Sequence, residues 1–135
     1  MFVIKVPKEY SSPKFNNYLL AKIINDVTES LSQSSYELTD KVLNQYAESS
    51  EKLNSYSLIM YYVRTFTIDD RQDFCYIGDN RQTERVVDSD KKIIDCIKLI
   101  EYGTYGLKPV PRISKVMNEI QETLPKIYEK WLKIK

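Results

Sequence analysis

The chain has 135 residues, of which 20 are basic and 19 acidic, so its formal net charge is +1. It contains no histidine, three glycines and two cysteines. Histidine is the commonest metal ligand and titrates nearest neutrality, and glycine lets backbone wrap closely around a phosphate. The composition therefore argues against metal-dependent, nucleotide-binding and histidine-dependent enzymes. We expect a non-enzymatic protein with no cofactor and no metal site.

Helical periodicity dominates the N-terminal part of the chain. Ser12 and Pro13 are typical of a helix start, the serine as cap and the proline at the first helical position. Ser34 with Glu37 predicts a second start through a capping box. The apolar residues of the first helix recur every four positions, at Phe15, Leu19, Ile23, Val27 and Leu31.

Three more helices follow. Apolar residues from Leu53 to Phe66 predict the third, and the fourth begins at Asp88 or Ser89 and ends at Gly103, a typical C-terminal glycine. The last helix starts after Pro109 or Pro111 and runs towards the C-terminus. Because proline lacks an N–H and clashes with the preceding turn, Pro125 predicts a kink or a short break in it.

Residues 2–6 and 74–87 lack helical periodicity. The first segment is short, apolar and β-branched, and the second has a turn signal, Gly78-Asp79-Asn80, between two runs with strand propensity. A small sheet joining the two segments and an irregular crossover loop are the alternatives. The predicted fold is mainly α: a single helical domain over residues 1–135, resembling a four-helix bundle, with an irregular or β-hairpin excursion around residues 68–88.

Four of the five arginines lie in or beside this excursion, namely Arg64, Arg71, Arg81 and Arg85. Arginine is enriched at interface hot spots because its planar group makes paired hydrogen bonds and stacks on aromatic rings. We predict that Arg71, Arg81 and Arg85 contact a partner. Salt bridges with the acidic residues of the same segment are the alternative.

The C-terminal part is basic, with seven basic and three acidic residues from position 104 onward. We predict that Lys126, Lys130 and Lys133 on the last helix contact a partner, with a solvated helix face as the alternative. A protein partner is favoured over direct nucleic-acid contact because the whole chain is close to neutral. No membrane role is expected, since the longest apolar run, residues 58–63, is far shorter than the roughly 20 residues that span a bilayer.

Two further hypotheses come from other residue types. Carboxylates near predicted strand ends, together with a lysine, predict a metal-dependent nuclease as a third-ranked function, although the same aspartates suit helix caps. These residues are Asp69, Asp70, Asp88, Asp90 and Lys92. The eleven tyrosines fit either boundary packing or a self-association surface. Cys75 and Cys96 are predicted to be unbridged, buried thiols in a cytoplasmic protein.

Three short segments carry a resemblance. They are K-V-P-K-E-Y at Lys5–Tyr10, Y-G-T-Y-G at Tyr102–Gly106 and the C-terminal W-L-K-I-K. With them the chain resembles the small four-helix proteins of the Acidianus two-tailed virus group. In that group one member is similar to a virion component, and another binds host RNA polymerase in its DNA channel and blocks transcription.

The resemblance implies a viral protein in the host cytoplasm that binds and inhibits host RNA polymerase by occupying its nucleic-acid channel. The rigid helical body would contact different walls of that channel through its acidic and basic parts. The alternative that the resemblance implies is a structural virion protein that self-associates.

Overall fold

The computed structural model describes residues 2–32, 36–46, 54–80, 88–103 and 108–134. Within these ranges the elements, in chain order, are β1 (Val3–Pro7), α1 (Pro13–Ser30), α2 (Glu37–Tyr46), α3 (Ser55–Arg64), β2 (Thr67–Asp70), β3 (Phe74–Gly78), α4 (Asp88–Tyr102), α5 (Arg112–Glu122) and α6 (Leu124–Ile134). The described helices and a three-stranded antiparallel sheet form an α+β fold. The prediction of a four-helix bundle is therefore wrong.

The sheet has the order β1-β3-β2, with β3 antiparallel to both neighbours. Ile4, Ile77 and Ile68 lie side by side across the three strands and form part of its inner face. Lys5, between two buried residues of β1, is exposed. This alternation is what a strand with one buried face requires. Of the two alternatives for residues 2–6, the small sheet with residues 74–78 is therefore confirmed.

The hairpin that the structure describes spans residues 67–78 and is formed by β2 and β3. The Arg71 N–H donates to the Phe74 carbonyl at 3.1 Å, so Gln72 and Asp73 form the tight turn between β2 and β3. Neither residue is glycine or proline, which is why the turn carries no strong sequence signal. β3 also pairs with β1 on its other side. The second arm of the predicted hairpin, residues 81–87, lies outside the described residues.

Gly78 ends β3 instead of forming the predicted turn. Its φ is +144°, and a Cβ there would lie only 2.2 Å from the Phe2 carbonyl oxygen. The next residue, Asp79, donates its N–H to that same carbonyl at 2.9 Å. Glycine at position 78 therefore allows the close approach of β1, which any side chain would prevent.

Several predicted helix ends are confirmed. The Ser12 hydroxyl accepts from the Phe15 N–H at 3.2 Å, and Pro13 begins α1. Gly103, with a φ of +75°, follows α4 and donates its N–H to the Leu99 carbonyl at 3.0 Å. The third helix ends at Arg64, two residues earlier than predicted. The Ser34 capping box lies outside the described residues.

The last predicted helix is divided, as expected from Pro125. α5 ends at Glu122 and α6 begins at Leu124, with Thr123 between them. The Thr123 N–H still donates to the Glu119 carbonyl at 3.0 Å. Pro125 has no N–H to offer the carbonyl of the preceding turn, which explains the break at this point.

The core lies between the inner face of the sheet and the helices. α1 is its central element, because it contacts α3, α5, β2 and β3. Its buried apolar residues are Phe15, Leu19, Ile23 and Val27, as the four-residue spacing predicts. Cys75 is buried and Cys96 half-buried, and both are unbridged. None of the helices in the described ranges combines the length and the apolar character needed to cross a membrane.

Candidate binding groove

A groove runs along the seam where α1 meets α5 and α6. Its larger part has a volume of about 380 Å³, and Thr123, at the helix break, lies in its wall. A neighbouring cavity of about 280 Å³ shares Asp26 and Glu119 with it, so the two adjoin. We call both parts together the α1–α5–α6 groove. The residues that line the larger part are Lys22, Asp26, Glu119, Ile120, Thr123, Lys126, Ile127 and Lys130.

The larger part of the groove has more cations than carboxylates. Lys22 comes from α1, and Lys126 and Lys130 lie on consecutive turns of α6. The carboxylates are Asp26 and Glu119, and the Lys22 Nζ lies 3.1 Å from the Asp26 carboxylate. Lys126 and Lys130 therefore supply positive charge beyond that of the local ion pair.

The base of the groove is apolar and firmly held. Ile120 and Ile127 are 2% and 8% exposed, so they present only a small apolar surface beneath the charged rim. α6 packs on α1 through aromatic rings, with the Tyr128 and Trp131 rings 5.0 and 5.1 Å from the Phe15 ring. Aromatic pairs at these separations stabilise the packing beyond simple burial. These ring contacts attach α6 to α1 and so place the backbone that carries the α6 lysines beside Lys22.

The smaller part of the groove leads to a buried polar cluster. Arg112 and Lys115 of α5 line it. The Arg112 side chain lies beside the buried Tyr36 hydroxyl. Burial raises the pKa of Tyr36 to about 12, an effect that the positive charge of Arg112 opposes. Tyr36 is therefore a neutral phenol at physiological pH and is no candidate for a general base.

A carboxylate beneath this cluster joins α4 to α5. Glu101, buried on α4, accepts hydrogen bonds from the Ile113 N–H at 2.7 Å and from the Ser114 N–H and hydroxyl at 3.2 and 2.9 Å. Burial raises the pKa of Glu101, and these hydrogen bonds oppose the rise. Because all three donors lie at the first turn of α5, the role of Glu101 is to cap a helix, and no catalytic role is needed to explain it.

The structure places the predicted partner-binding residues in two regions. Lys126 and Lys130 line the groove, and Lys133 is exposed one turn further along α6. Arg71 lies at the hairpin turn, where its Nε donates to the Asp69 carboxylate at 2.7 Å, the local salt bridge weighed as the alternative. Arg81 and Arg85 lie outside the described residues.

Sequence reasoning does not find three of the charged groove residues, Lys22, Asp26 and Glu119. Lys22 and Asp26 have the i, i+4 spacing of an ordinary surface ion pair on a helix. That spacing says nothing about which helix lies opposite. Only the packing of α1 against α5 and α6 brings Lys22 to the same groove as Lys126.

Of the residues predicted to hold a metal ion, Asp69 and Asp70 form ion pairs with basic side chains instead. Asp69 is bonded to Arg71, and Asp70 lies 2.5 Å from the Lys8 Nζ. Across the described part of the chain, no three His, Cys, Asp or Glu side chains are grouped so as to hold a metal ion. The side chains of Asp88, Asp90 and Lys92 fall outside that part. The nuclease hypothesis stays a prediction at those positions.

Comparisons of the chain with protein families, with curated proteins and with solved structures found no match. The resemblance to the viral four-helix proteins therefore stays a prediction. Function has to be inferred from the chemistry of the surfaces themselves.

Proposed function

We propose that this is a non-enzymatic binding protein that holds an acidic segment of a partner protein in the α1–α5–α6 groove. The observation that carries the proposal is the convergence of Lys22, Lys126 and Lys130, from two helices, on one groove with an apolar base. Lysines on the rim attract carboxylates of the bound segment, and Ile120 and Ile127 add only a small apolar contact beneath them.

The carboxylates of the groove favour a protein over a nucleic acid as its occupant. A phosphate backbone carries negative charge at every nucleotide and would meet Asp26 and Glu119 directly. A protein segment of mixed composition can place a lysine or a hydrogen-bond donor at that point. Charge complementarity of this alternating kind sets the register and the specificity of binding.

RNA polymerase is the partner that we propose on the strength of the sequence resemblance. Occupation of its nucleic-acid channel would block transcription. The basic row that continues from Lys126 through Lys130 to Lys133 is exposed on α6 and would face an acidic part of the channel wall. Because these lysines are exposed, binding should weaken as salt concentration rises.

The groove can be tested with a labelled peptide of alternating glutamate and leucine, with an analogue in which glutamine replaces glutamate. Fluorescence anisotropy would compare wild type with a Lys126→Glu, Lys130→Glu variant. A matched control is Lys98→Glu, Lys108→Glu, which changes the net charge equally at exposed positions away from the groove lining. We expect the groove variant to lose binding of the glutamate peptide and the control to retain most of it. Equal losses in both variants would reject the groove.

The polymerase is tested separately, by capture of the purified enzyme on the immobilised protein and by a transcription assay. Wild type should retain the polymerase and inhibit transcription, and the Lys126→Glu, Lys130→Glu variant should do neither. Light scattering on the same samples tests self-association, the alternative function. Concentration-dependent growth of the particles without polymerase binding would favour that alternative.

A further inference from the structure

The face of the sheet opposite the core carries aromatic and charged side chains. We call it the outer face and define it by Lys5, Thr67, Asp69, Phe74 and Tyr76. These residues alternate along their strands with the inward residues Ile4, Ile68, Cys75 and Ile77. Lys5, Tyr76 and Asp69 form one row across the three strands.

Two aromatic rings stand next to each other on the central strand. Phe74 and Tyr76 are two positions apart on β3, so their side chains leave the sheet on the same side. Their ring centroids are 6.4 Å apart, and Phe74 is 36% exposed. An apolar ring kept at the surface in this way has no role in the core.

A cation accompanies each ring. The Lys5 Nζ lies 5.9 Å from the centroid of the Phe74 ring, and the Arg71 guanidinium lies 5.3 Å from that of Tyr76. The neighbouring carboxylates have cation partners, since Asp69 is bonded to Arg71 and Asp70 to Lys8. On the outer face, Lys5 therefore adds positive charge beyond that of the Arg71–Asp69 ion pair.

We propose that the outer face binds single-stranded nucleic acid, with one base stacked on Phe74 and another on Tyr76 and with phosphates held by Lys5 and Arg71. Every base has a flat face that stacks on an aromatic ring, and sheets that present paired aromatics use this contact. An exposed cation–ring contact is weaker than a base stack on the same ring. A base can therefore replace the cation, which then turns to the phosphate.

The outer face and the groove are separate surfaces, and either one can bind without the other. The two surfaces use different residues, and their experiments use different probes. Unlike the groove, the outer face joins aromatic rings to cations. Bases need both features, whereas an acidic protein segment needs only the cations.

Asp73 supplies an internal check. Its carboxylate lies in the exposed hairpin turn and accepts a hydrogen bond from the Phe74 N–H at 2.9 Å. A phosphate bound at Arg71 would be repelled by this charge. Asp73→Asn, which keeps the acceptor and removes the charge, should bind single strands more tightly than wild type at low salt.

The test is fluorescence anisotropy with labelled twelve-nucleotide oligo-dT and oligo-U and with a duplex of the same length. Phe74→Ala and Tyr76→Ala should each weaken single-strand binding by about 5- to 150-fold, the loss expected for one base–aromatic stack. Tyr61→Ala is the matched control, because Tyr61 is an exposed tyrosine, 54% accessible, on α3. It should bind like wild type.

A second measurement works without variants, so a folding defect cannot obscure the result. Ultraviolet crosslinking to an oligonucleotide that contains 5-iodouracil should label β3 at Phe74 or Tyr76. Absence of single-strand binding at protein concentrations up to about 100 μM in low salt would overturn the proposal, since even non-specific binding appears in that range. Equal affinity for the duplex, crosslinks only on other elements, or unchanged binding by both ring variants would also overturn it.

Discussion

Replacement of Glu101 by alanine probes the buried link between α4 and α5. Glu101 is only 1% exposed. Its carboxylate accepts hydrogen bonds from the Ile113 N–H, the Ser114 N–H and the Ser114 hydroxyl. Those N–H groups open α5, where no helical carbonyl is available to them. Pro111, the N-cap residue of α5, has no side-chain acceptor to replace the carboxylate. Glu101 therefore caps α5 from another helix.

The size of the effect follows from these contacts. A hydrogen bond to a charged group contributes about 1.5–3 kcal/mol, and a buried donor left unsatisfied costs about 1–3 kcal/mol. The three bonds do not add fully, because Ser114 is only half-buried and water can reach it. We expect Glu101→Ala to lower the free energy of unfolding by about 3–4 kcal/mol, or Tm by roughly 10 °C.

Urea denaturation followed by far-ultraviolet circular dichroism measures this loss. The matched control is Glu122→Ala, an exposed glutamate at the end of α5, which should change the free energy of unfolding by no more than about 0.5 kcal/mol. A Glu101→Ala variant within about 1 kcal/mol of wild type would show that the cap does not stabilise α5. Equal destabilisation by the two variants would show a charge effect instead.

Three other predictions concern stability. Burial raises the pKa of Glu101 above its ordinary 4.5, so one part of the stability that Glu101 contributes depends on pH: this part is fully present below pH 4.5 and is lost as pH rises through the raised folded-state pKa. The advantage of wild type over Glu101→Gln in urea titrations should therefore shrink over that interval, and a growing difference would contradict this. In the same urea titrations, Ile120→Ala should lower the free energy of unfolding by about 2–5 kcal/mol and Ile120→Val by about 0.5–1.5 kcal/mol. If both variants lost equally little, Ile120 would lie outside the core. The Gln121 side-chain amide accepts a hydrogen bond from the Lys5 N–H at 2.7 Å and donates one to the Lys5 carbonyl at 2.8 Å. Gln121→Ala should therefore lower the free energy of unfolding by about 1–2 kcal/mol. Because it also uncovers the edge of β1, the variant should scatter more light at high concentration. A variant as stable and as monodisperse as wild type would refute this role.

Helix limits are the part of the fold that sequence reasoning predicts well. Ser12 with Pro13, Gly103 and Pro125 each act on backbone groups within a few residues, so their effect can be read without knowledge of the rest of the chain. The buried residues of α1 follow equally from their spacing. These are short-range interactions, and their partners are visible in the sequence.

The four-helix bundle was predicted wrongly because the sequence does not show which element covers each apolar face. Periodicity shows that α1 has a buried stripe, but a sheet or another helix can lie against it. β1 pairs with β3, which lies far later in the chain, from Val3 with Gly78 to Pro7 with Phe74. A two-residue turn of Gln72 and Asp73 joins β2 to β3. Gly78 looks like a turn residue until the Phe2 carbonyl is placed beside it.

Some residues of the candidate groove can be predicted from the sequence, and others are brought there only by the packing of the helices. Lys126 and Lys130 are predictable as an exposed basic row, because their four-residue spacing places them on one side of a helix. Lys22, Asp26 and Glu119 join them only after α1 has packed against α5 and α6. The outer face is hidden in the same way, because which side of β3 meets the core depends on its pairing with β1 and β2.

Near neighbours in the chain thus specify the helix ends and the apolar stripes, because propensity and capping are local properties. Composition alone excludes chemistry that needs histidine. The order of the strands, the partner of each helix face and the meeting of distant charges at one groove arise only in the folded chain. They depend on contacts between residues far apart in the sequence, and those contacts become favourable together, when the whole core forms.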